Sequence, residues 1–343
     1  MELMLDKNKL SQEKLDQIIT AARLMKTGGV VAFPTETVYG LGADVTNAAA
    51  VRKVYEIKQR PTNHPLIVHI GDIAFLKYWT QAIPEPAWTL ANHFWPGPLT
   101  LILKRSQHIP NYITGGQDTV GIRIPAHSVA LALLHALGPD RAIAAPSANL
   151  FGKISPTSAT HVRAALDKKI DMILDGGACT IGLESTIVGF NRGTVSVLRP
   201  GGISVSAIES VLGKTAILCQ NKKPATRVSG SLPAHYAPTT PLKLYPTEVI
   251  FQTARILSTR NLRSVVITWS DIDLSELNDS NIHHARLPKN PVSYGKHLYA
   301  TLHQYDHASL DCIIMETPPE LPSWLAITDR LQRASFSHIS TTI

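Results

Sequence analysis

Cysteine is scarce: the 343-residue chain has three, Cys179, Cys219 and Cys312, far apart and with no CxxC pair among them. That excludes a zinc ribbon and a CxxC redox motif, and a sparse, odd count fits a reducing compartment. Long hydrophobic runs are missing as well, none approaching the ~18 residues of a membrane span. Aromatics make up only 6 % and charged residues 17 %, against 44 % hydrophobic, a globular composition rather than a disordered one. The opening MELMLDKNKL mixes charge with apolar residues and shows neither the apolar core nor the cleavage site of a leader. A cytoplasmic protein with no membrane association is expected. The common nucleotide motifs fail too. Gly213-Lys214-Thr215 lacks the leading glycine of a Walker A loop, because position 208 is Ile. Gly40-Leu41-Gly42 starts a dinucleotide fingerprint, but Val45 stands where the third glycine belongs. Ser147 lies in APSAN, outside the GxSxG frame of a nucleophile elbow. His283-His284 has no metal-type spacing around it and reads as surface. A nucleotide site in this chain has to be assembled from scattered loops.

What the chain does have is positive charge, a formal +7 with a pI near 9.3, which favours anionic partners such as nucleotide or RNA. The stretch from Phe33 to Ile70 concentrates the signal. A β-type run, Val30 to Phe33, is stopped by Pro34, and Thr35 and Thr37 bracket Glu36 as the chain leaves it. Gly40 and Gly42 follow and read as a turn open to φ > 0 or to close approach of a ligand. Lys58 and Arg60 then stand two apart, with Pro61 fixing the exit. A compact point charge and a planar fork beside a glycine-bearing turn suit a polyanion. A solvated basic turn is the plainer account, and the rest of the chain decides against it.

In order, hydrophobic spacing predicts a helix capped by Ser11, strand 30–33, helix 47–57, strand 66–70, a helical region 72–94 and strand 99–103. Strand 119–124, helix 127–137, strand 141–145, helix 157–166, strand 170–174, strands 185–190 and 194–198, and helix 204–212 complete this half. Strands alternate with helices and then run consecutively, so the expected fold is α/β, a twisted mixed sheet flanked by helices, over residues 1–212. Residues 213–241 are rich in Pro, Ser and Gly and read as an extended linker or lid. Strand 242–245, helix 247–257, strand 264–268, helix 292–303, strand 310–315 and helix 322–334 then predict a small Rossmann-like α/β domain over 242–343.

Seven blocks in fixed order carry a resemblance: FPTETVYGLGAD, KQRP with NHPLIVHI, FWPGPLT, GQDTVGIRIPAH, APSANLFGKISPTS, GLESTIV and LRPGG. Together they resemble the L-threonylcarbamoyladenylate synthase family, with a YrdC-like catalytic domain and the signature K-x-R then S-x-N, here Lys58-Gln59-Arg60 and Ser147-Ala148-Asn149. HYAP and the final TDRLQRAS resemble its long, two-domain form. The resemblance implies a nucleotidyltransferase that joins L-threonine, bicarbonate and ATP, with Mg²⁺, into threonylcarbamoyl-AMP and pyrophosphate. A downstream tRNA threonylcarbamoyl transferase would then modify tRNAs that read ANN codons. It also implies roles for residues. Thr35, His69, Arg123 and Ser185 fall around the threonine, and Lys58, Arg60, Thr119, Ser147, Asn149, Arg199 and Tyr236 on the ATP, with Lys58 and Arg60 catalytic. No protein metal ligand is implied. Without the resemblance, His69 reads as a core histidine and Ser147 with Asn149 as turn chemistry after Pro146. The linker departs from the family pattern, reading Ser229-Gly230-Ser231-Leu232-Pro233 where many relatives carry Pro-Gly, and PPELPSWLAITDRL has fewer glycines than relatives show. A non-enzymatic double-stranded RNA-binding protein is the competing reading, with RNA contact following from the basic charge. Carbamoyl transfer, as in hydrogenase-maturation proteins, is a third, but this chain has neither their acylphosphatase nor their zinc-finger segments.

Overall fold

The computed structural model describes residues 10–219, 226–275, 279–306 and 309–336; the first nine residues and Pro224 of the linker lie outside them. The chain divides into two compact units, Met1–Phe151 with Pro156–Ser231, and Gly152–Ser155 with Leu232–Ile343.

In the first unit the strands are β1 Val31–Phe33, β2 Gly40–Asp44, β3 Ile67–His69, β4 Thr80–Gln81, β5 Leu99–Arg105, β6 Thr119–Arg123, β7 Ile143–Ala144, β8 Met172–Ile173, β9 Thr186–Asn191, β10 Thr194–Arg199 and β11 Ile217–Leu218. They form one mixed sheet in the order β11-β10-β9-β5-β6-β3-β7-β2-β1-β8, with β4 alongside β5. Successive side chains of a strand point to opposite faces, and the residues around β1 show it. Val31 and Phe33 pack with Met25, Leu133 and Ile143 under helices Gln12–Lys26 and Ser128–Leu137. Val30 and Ala32 face the other layer, with Val54, Leu90, Leu101 and Ile208. The helix starts follow their caps. Ser11 Oγ accepts from Lys14 N at 3.2 Å and Asn47 Oδ1 from Ala50 N at 3.0 Å.

Most predicted elements appear within two or three residues of their expected ends. The region 72–94 is not one helix: a short turn of helix ends at Trp79, β4 intervenes, and Glu85–Phe94 restarts behind Pro84. Pro84 lacks the N–H a continuous helix needs. The glycine turn at 40–42 is also corrected. Gly40 and Gly42 lie in β2, antiparallel to β1, with Phe33 opposite Gly40. Their role is close packing. A Cβ on Gly42 would stand 2.7 Å from Ile143 Cγ2 and 2.8 Å from Phe33 Cε1 and Met25 Cε.

The second unit carries β12 Leu242–Tyr245, β13 Ser264–Thr268, β14 Ile282–Arg286 and β15 Cys312–Glu316. All pair in parallel, in the order β12-β15-β13-β14, with helices Thr247–Thr259, Pro291–Asp306 and Leu325–Phe336. His283 and His284 are exposed, as expected, but on a strand that polarity had hidden. Tyr236 takes φ 63, so the segment around it is not the extended run its prolines suggested.

The packing of β2 is open to measurement. Gly42→Ala should lower the unfolding free energy by about 1–3 kcal/mol, because a filled contact must be forced apart. A urea titration that leaves the midpoint unchanged would show the glycine to be there for some other reason.

Candidate active site

Four loops meet in the first unit. The first leaves β1 at Pro34. Thr35 Oγ1 bonds Thr37 Oγ1 at 2.8 Å and donates to Val38 O at 2.7 Å, curling the chain into a tight, buried loop. The second is the APSAN loop after β7. It runs beside the first: Leu41 N donates to Pro146 O and Ala148 N to Tyr39 O, both at 2.8 Å, and Gly40 bridges Ser147. The third follows helix Ala48–Lys58, ended by Gln59 at φ 53. The fourth carries Ser185 into β9 and returns through Arg199 at the end of β10.

Lys58, the last residue of its helix, is buried. Its ammonium donates to Ser147 O at 2.6 Å and also to Asn149 O. Burial, and then the neighbouring Arg60, push its pKa well below the usual lysine value. Arg60 is buried as well, donating to Pro65 O at 2.8 Å and Ser229 Oγ at 3.3 Å, with its guanidinium 5.4 Å from the Phe151 ring centroid. Arg199 closes the group. It donates to Ser185 O at 2.8 Å and Ser185 Oγ at 3.2 Å, and reaches Ser229 O at 3.0 Å. Ser229 thus sits between two arginines, on a stretch that also ties Arg227 N to Gln117 Oε1 at 2.7 Å. A small cleft opens here, lined in part by Pro65, Thr119, Gly121, Arg227 and Ser229.

The second group is built on β3 and β6, which pair in parallel with His69 opposite Arg123. Arg123 is held on three sides. Nε donates to Gly97 O at 3.2 Å, Nη1 to Thr37 Oγ1 at 2.9 Å and Nη2 to Glu36 Oε1 at 2.5 Å. His69 lies edge-on to Phe33 with centroids 6.0 Å apart. Burial, reinforced by Arg123, pushes its pKa down to about 3, so the ring is neutral at physiological pH. Ser185 Oγ meets Thr100 Oγ1 at 2.8 Å.

Of the expected residues, Lys58, Ser147 and Asn149 are joined directly, Arg60 and Arg199 meet through Ser229, and Ser185 is held by Arg199. Thr35 reaches Arg123 through Thr37. Thr119, at the start of β6, lines the cleft. Tyr236 belongs to the second unit, where its buried ring stacks on Tyr299 with centroids 6.0 Å apart and takes the Arg330 guanidinium at 5.0 Å. Sequence reasoning noted Glu36, Thr37 and Ser229 but gave them no role in the site. An acid between two threonines just past a buried strand was a usable signal for the first; nothing in the linker's composition marks Ser229.

The first unit, a mixed-sheet α/β unit, gathers buried cations from separate loops, an arrangement suited to an anion and built without any single nucleotide motif. Residues 23–201 match the family model described as "Telomere recombination", and residues 203–335 the one described as "Threonylcarbamoyl-AMP synthase, C-terminal domain". The threonylcarbamoyl-AMP synthase of Bacillus subtilis is 42 % identical over 327 residues, covering 93 % of each chain. That of Pyrococcus abyssi is 36 % identical over 336 residues, 94 % of this chain and 96 % of its own. The solved structure "Crystal structure of P. abyssi Sua5 complexed with L-threonine" aligns with a TM-score of 0.85 at 37 % identity, covering 94 % of this chain and 95 % of that one. The chain belongs to the two-domain threonylcarbamoyl-AMP synthase family.

The neutral His69 makes a pH prediction. Unfolded, the ring binds a proton near pH 6.5; folded, only near 3. Between those values the unfolded state holds more protons, so stability falls as pH drops from 6.5 toward 3 and is flat above. His69→Gln should remove roughly 1 kcal/mol per pH unit of that slope. Equal slopes for both proteins in denaturant titrations at pH 4, 5 and 6 would refute the assignment.

Proposed function

We propose that the chain condenses L-threonine, bicarbonate and ATP into threonylcarbamoyl-AMP and pyrophosphate. The observation that carries this reading is the gathering of Lys58 at the APSAN loop and of Arg60 and Arg199 around Ser229, with Arg123 at the end of β6 bonded to the loop that holds Thr35 and Thr37. The reaction brings together two anions, a carbamate and a triphosphate, so positive charge has to be fixed in place where negative charge builds up. In this reading Lys58, Arg60 and Arg199 hold the triphosphate, and Thr119, Ser147 and Asn149 the nucleotide side. Thr35, His69, Arg123 and Ser185 surround the threonine, with Arg123 as the fork for its carboxylate. Tyr236 is assigned to the nucleotide. The carbamate oxygen attacks the α-phosphorus and pyrophosphate leaves. The attacking group belongs to the substrate, so proximity and charge are what the protein supplies. Mg²⁺ would arrive with ATP, bound by its phosphate oxygens; among the described residues no group of three His, Cys, Asp or Glu could hold an ion. The product would pass, in the cytoplasm, to a transferase acting on tRNAs that read ANN codons. No helix among the described residues is long and apolar enough to cross a membrane. A purely RNA-binding role is disfavoured, because RNA contact needs exposed cations and these are buried.

The deciding experiment incubates the chain with ATP, Mg²⁺, L-threonine and bicarbonate and follows pyrophosphate and adenylate by chromatography. Both should appear only when all are present; ATP turnover indifferent to threonine would sink the reading. Lys58→Ala or Arg60→Ala should cost about 2–4 kcal/mol in the transition state, a rate loss of roughly 10²–10³, with the fold retained. Wild-type turnover in either variant would remove that residue from the reaction. Substrate choice gives a further check. If the pocket bonds the threonine hydroxyl, 2-aminobutyrate should be rejected strongly and serine by no more than about 1–3 kcal/mol. Tyr236→Ala should release more AMP per adenylate formed, measured in the same assay.

A further inference from the structure

Glu36 is buried, at 4 % exposure, between Thr35 and Thr37. Its Oε1 takes the 2.5 Å bond from Arg123, while its Oε2 has no hydrogen-bond partner among the described residues. A buried charged acceptor left unfilled is costly, so such an atom calls for an explanation. Orienting Arg123 does not supply one. The guanidinium is already fixed by Gly97 O, Thr37 Oγ1 and Glu36 Oε1, none of which involves Oε2. Besides Arg123, Glu36 acts electrostatically on His127 and Cys179, and neither donates to Oε2.

Resting on the reading that this unit takes an amino acid, we propose that Glu36 Oε2 receives the substrate's α-ammonium group and accepts its proton as the carbamate forms. An amino acid is a zwitterion, and a site that shields it from water must answer both charges. Arg123 and Glu36 form a cation–anion pair, which matches a zwitterion without changing the net charge of the site. The arrangement also answers a chemical need. An ammonium has no lone pair, so the nitrogen must lose a proton before it can attack. One proton passes to Oε2. The nitrogen then attacks the bicarbonate carbon, the N–C bond forms and a C–O bond breaks. The departing hydroxide takes a second nitrogen proton and leaves as water. One ammonium, one carboxylate and one bicarbonate become one carbamate, one water and one protonated Glu36, with the same total charge on both sides. Solvent restores the carboxylate after the products leave.

The test compares two ligands, L-threonine and 2,3-dihydroxybutanoate, in which a hydroxyl replaces the amino group. Calorimetry on the full chain without ATP should show wild type preferring threonine by about tenfold or more, the scale of a buried charge-assisted contact. Glu36→Gln keeps the size and can still accept from Arg123, but lacks the charge. It should lose the preference, and its rate of adenylate formation at saturating threonine should fall by about 10²-fold. Glu36→Asp, which keeps the charge, should retain part of the preference. A structural role alone would weaken both ligands alike; an unchanged ratio in Glu36→Gln overturns the proposal while the substrate reading stands. The wild-type ratio is decisive even where the variant fails to fold, since equal binding of the two ligands also overturns it. Wild type that binds neither ligand would overturn the substrate reading itself.

Discussion

Burying positive charge is the constraint around which the first unit is arranged. Lys58 has lost nearly all contact with water, and its ammonium rests on the carbonyls of Ser147 and Asn149. Carbonyl dipoles solvate a cation but do not neutralise it, and Arg60 nearby adds repulsion. The charge remains expensive, and an arriving anion is the species that relieves it. Arg123 is treated differently, being paired with a carboxylate and a threonine hydroxyl. One group of cations is therefore suited to a highly charged anion and the other to a ligand with both signs of charge. That division agrees with the two substrates proposed.

Strand pairing rather than sequence proximity produces this arrangement. His69 and Arg123 are neighbours because β3 and β6 pair in parallel and in register. The threonine loop and the APSAN loop run together because β2 and β7 are antiparallel neighbours, a pairing that continues past the strand ends as the Gly40–Ser147 bridge. A slip of one residue would turn the whole set to the opposite face. Tight packing guards against that slip. Gly42 leaves room for Ile143 and Phe33, so the strand carrying these loops has one position in which it fits.

Much of this was legible beforehand, and the reasons differ by element. Helices Gln12–Lys26 and Ala48–Lys58 combine a capping residue with apolar spacing, two local signals that agree. Strand β2 was missed because its glycines look the same in sequence whether they supply a turn or make room for neighbours. Only the atoms packed against them, from residues far along the chain, tell the two apart. The candidate site residues on ordered motifs could be named from the sequence as types, since cations and loop hydroxyls in fixed order carry the family resemblance. Their partners were not. Lys58 is held by backbone carbonyls, which every residue has, and Ser229 reaches the arginines from beyond the stretch that resembles the family most densely.

Ser229 also bears on where the catalytic unit ends. Composition places a linker over residues 213–241, yet part of that stretch is bound within the first unit. Ile217–Leu218 extends the sheet as β11, and Arg227 and Ser229 are tied to Gln117, Pro65 and Arg199. The division between units falls after Ser231 rather than at either end of the Pro-rich stretch. Proline and serine content reports that a segment cannot form a helix or a central strand; it does not report that the segment is unattached. Here the same residues are compatible with an irregular path pinned by side chains, because a hydroxyl that accepts from one arginine and a carbonyl that accepts from another need no regular backbone. Those two arginines hold Ser229, so the apparent linker belongs to the first unit well past its midpoint.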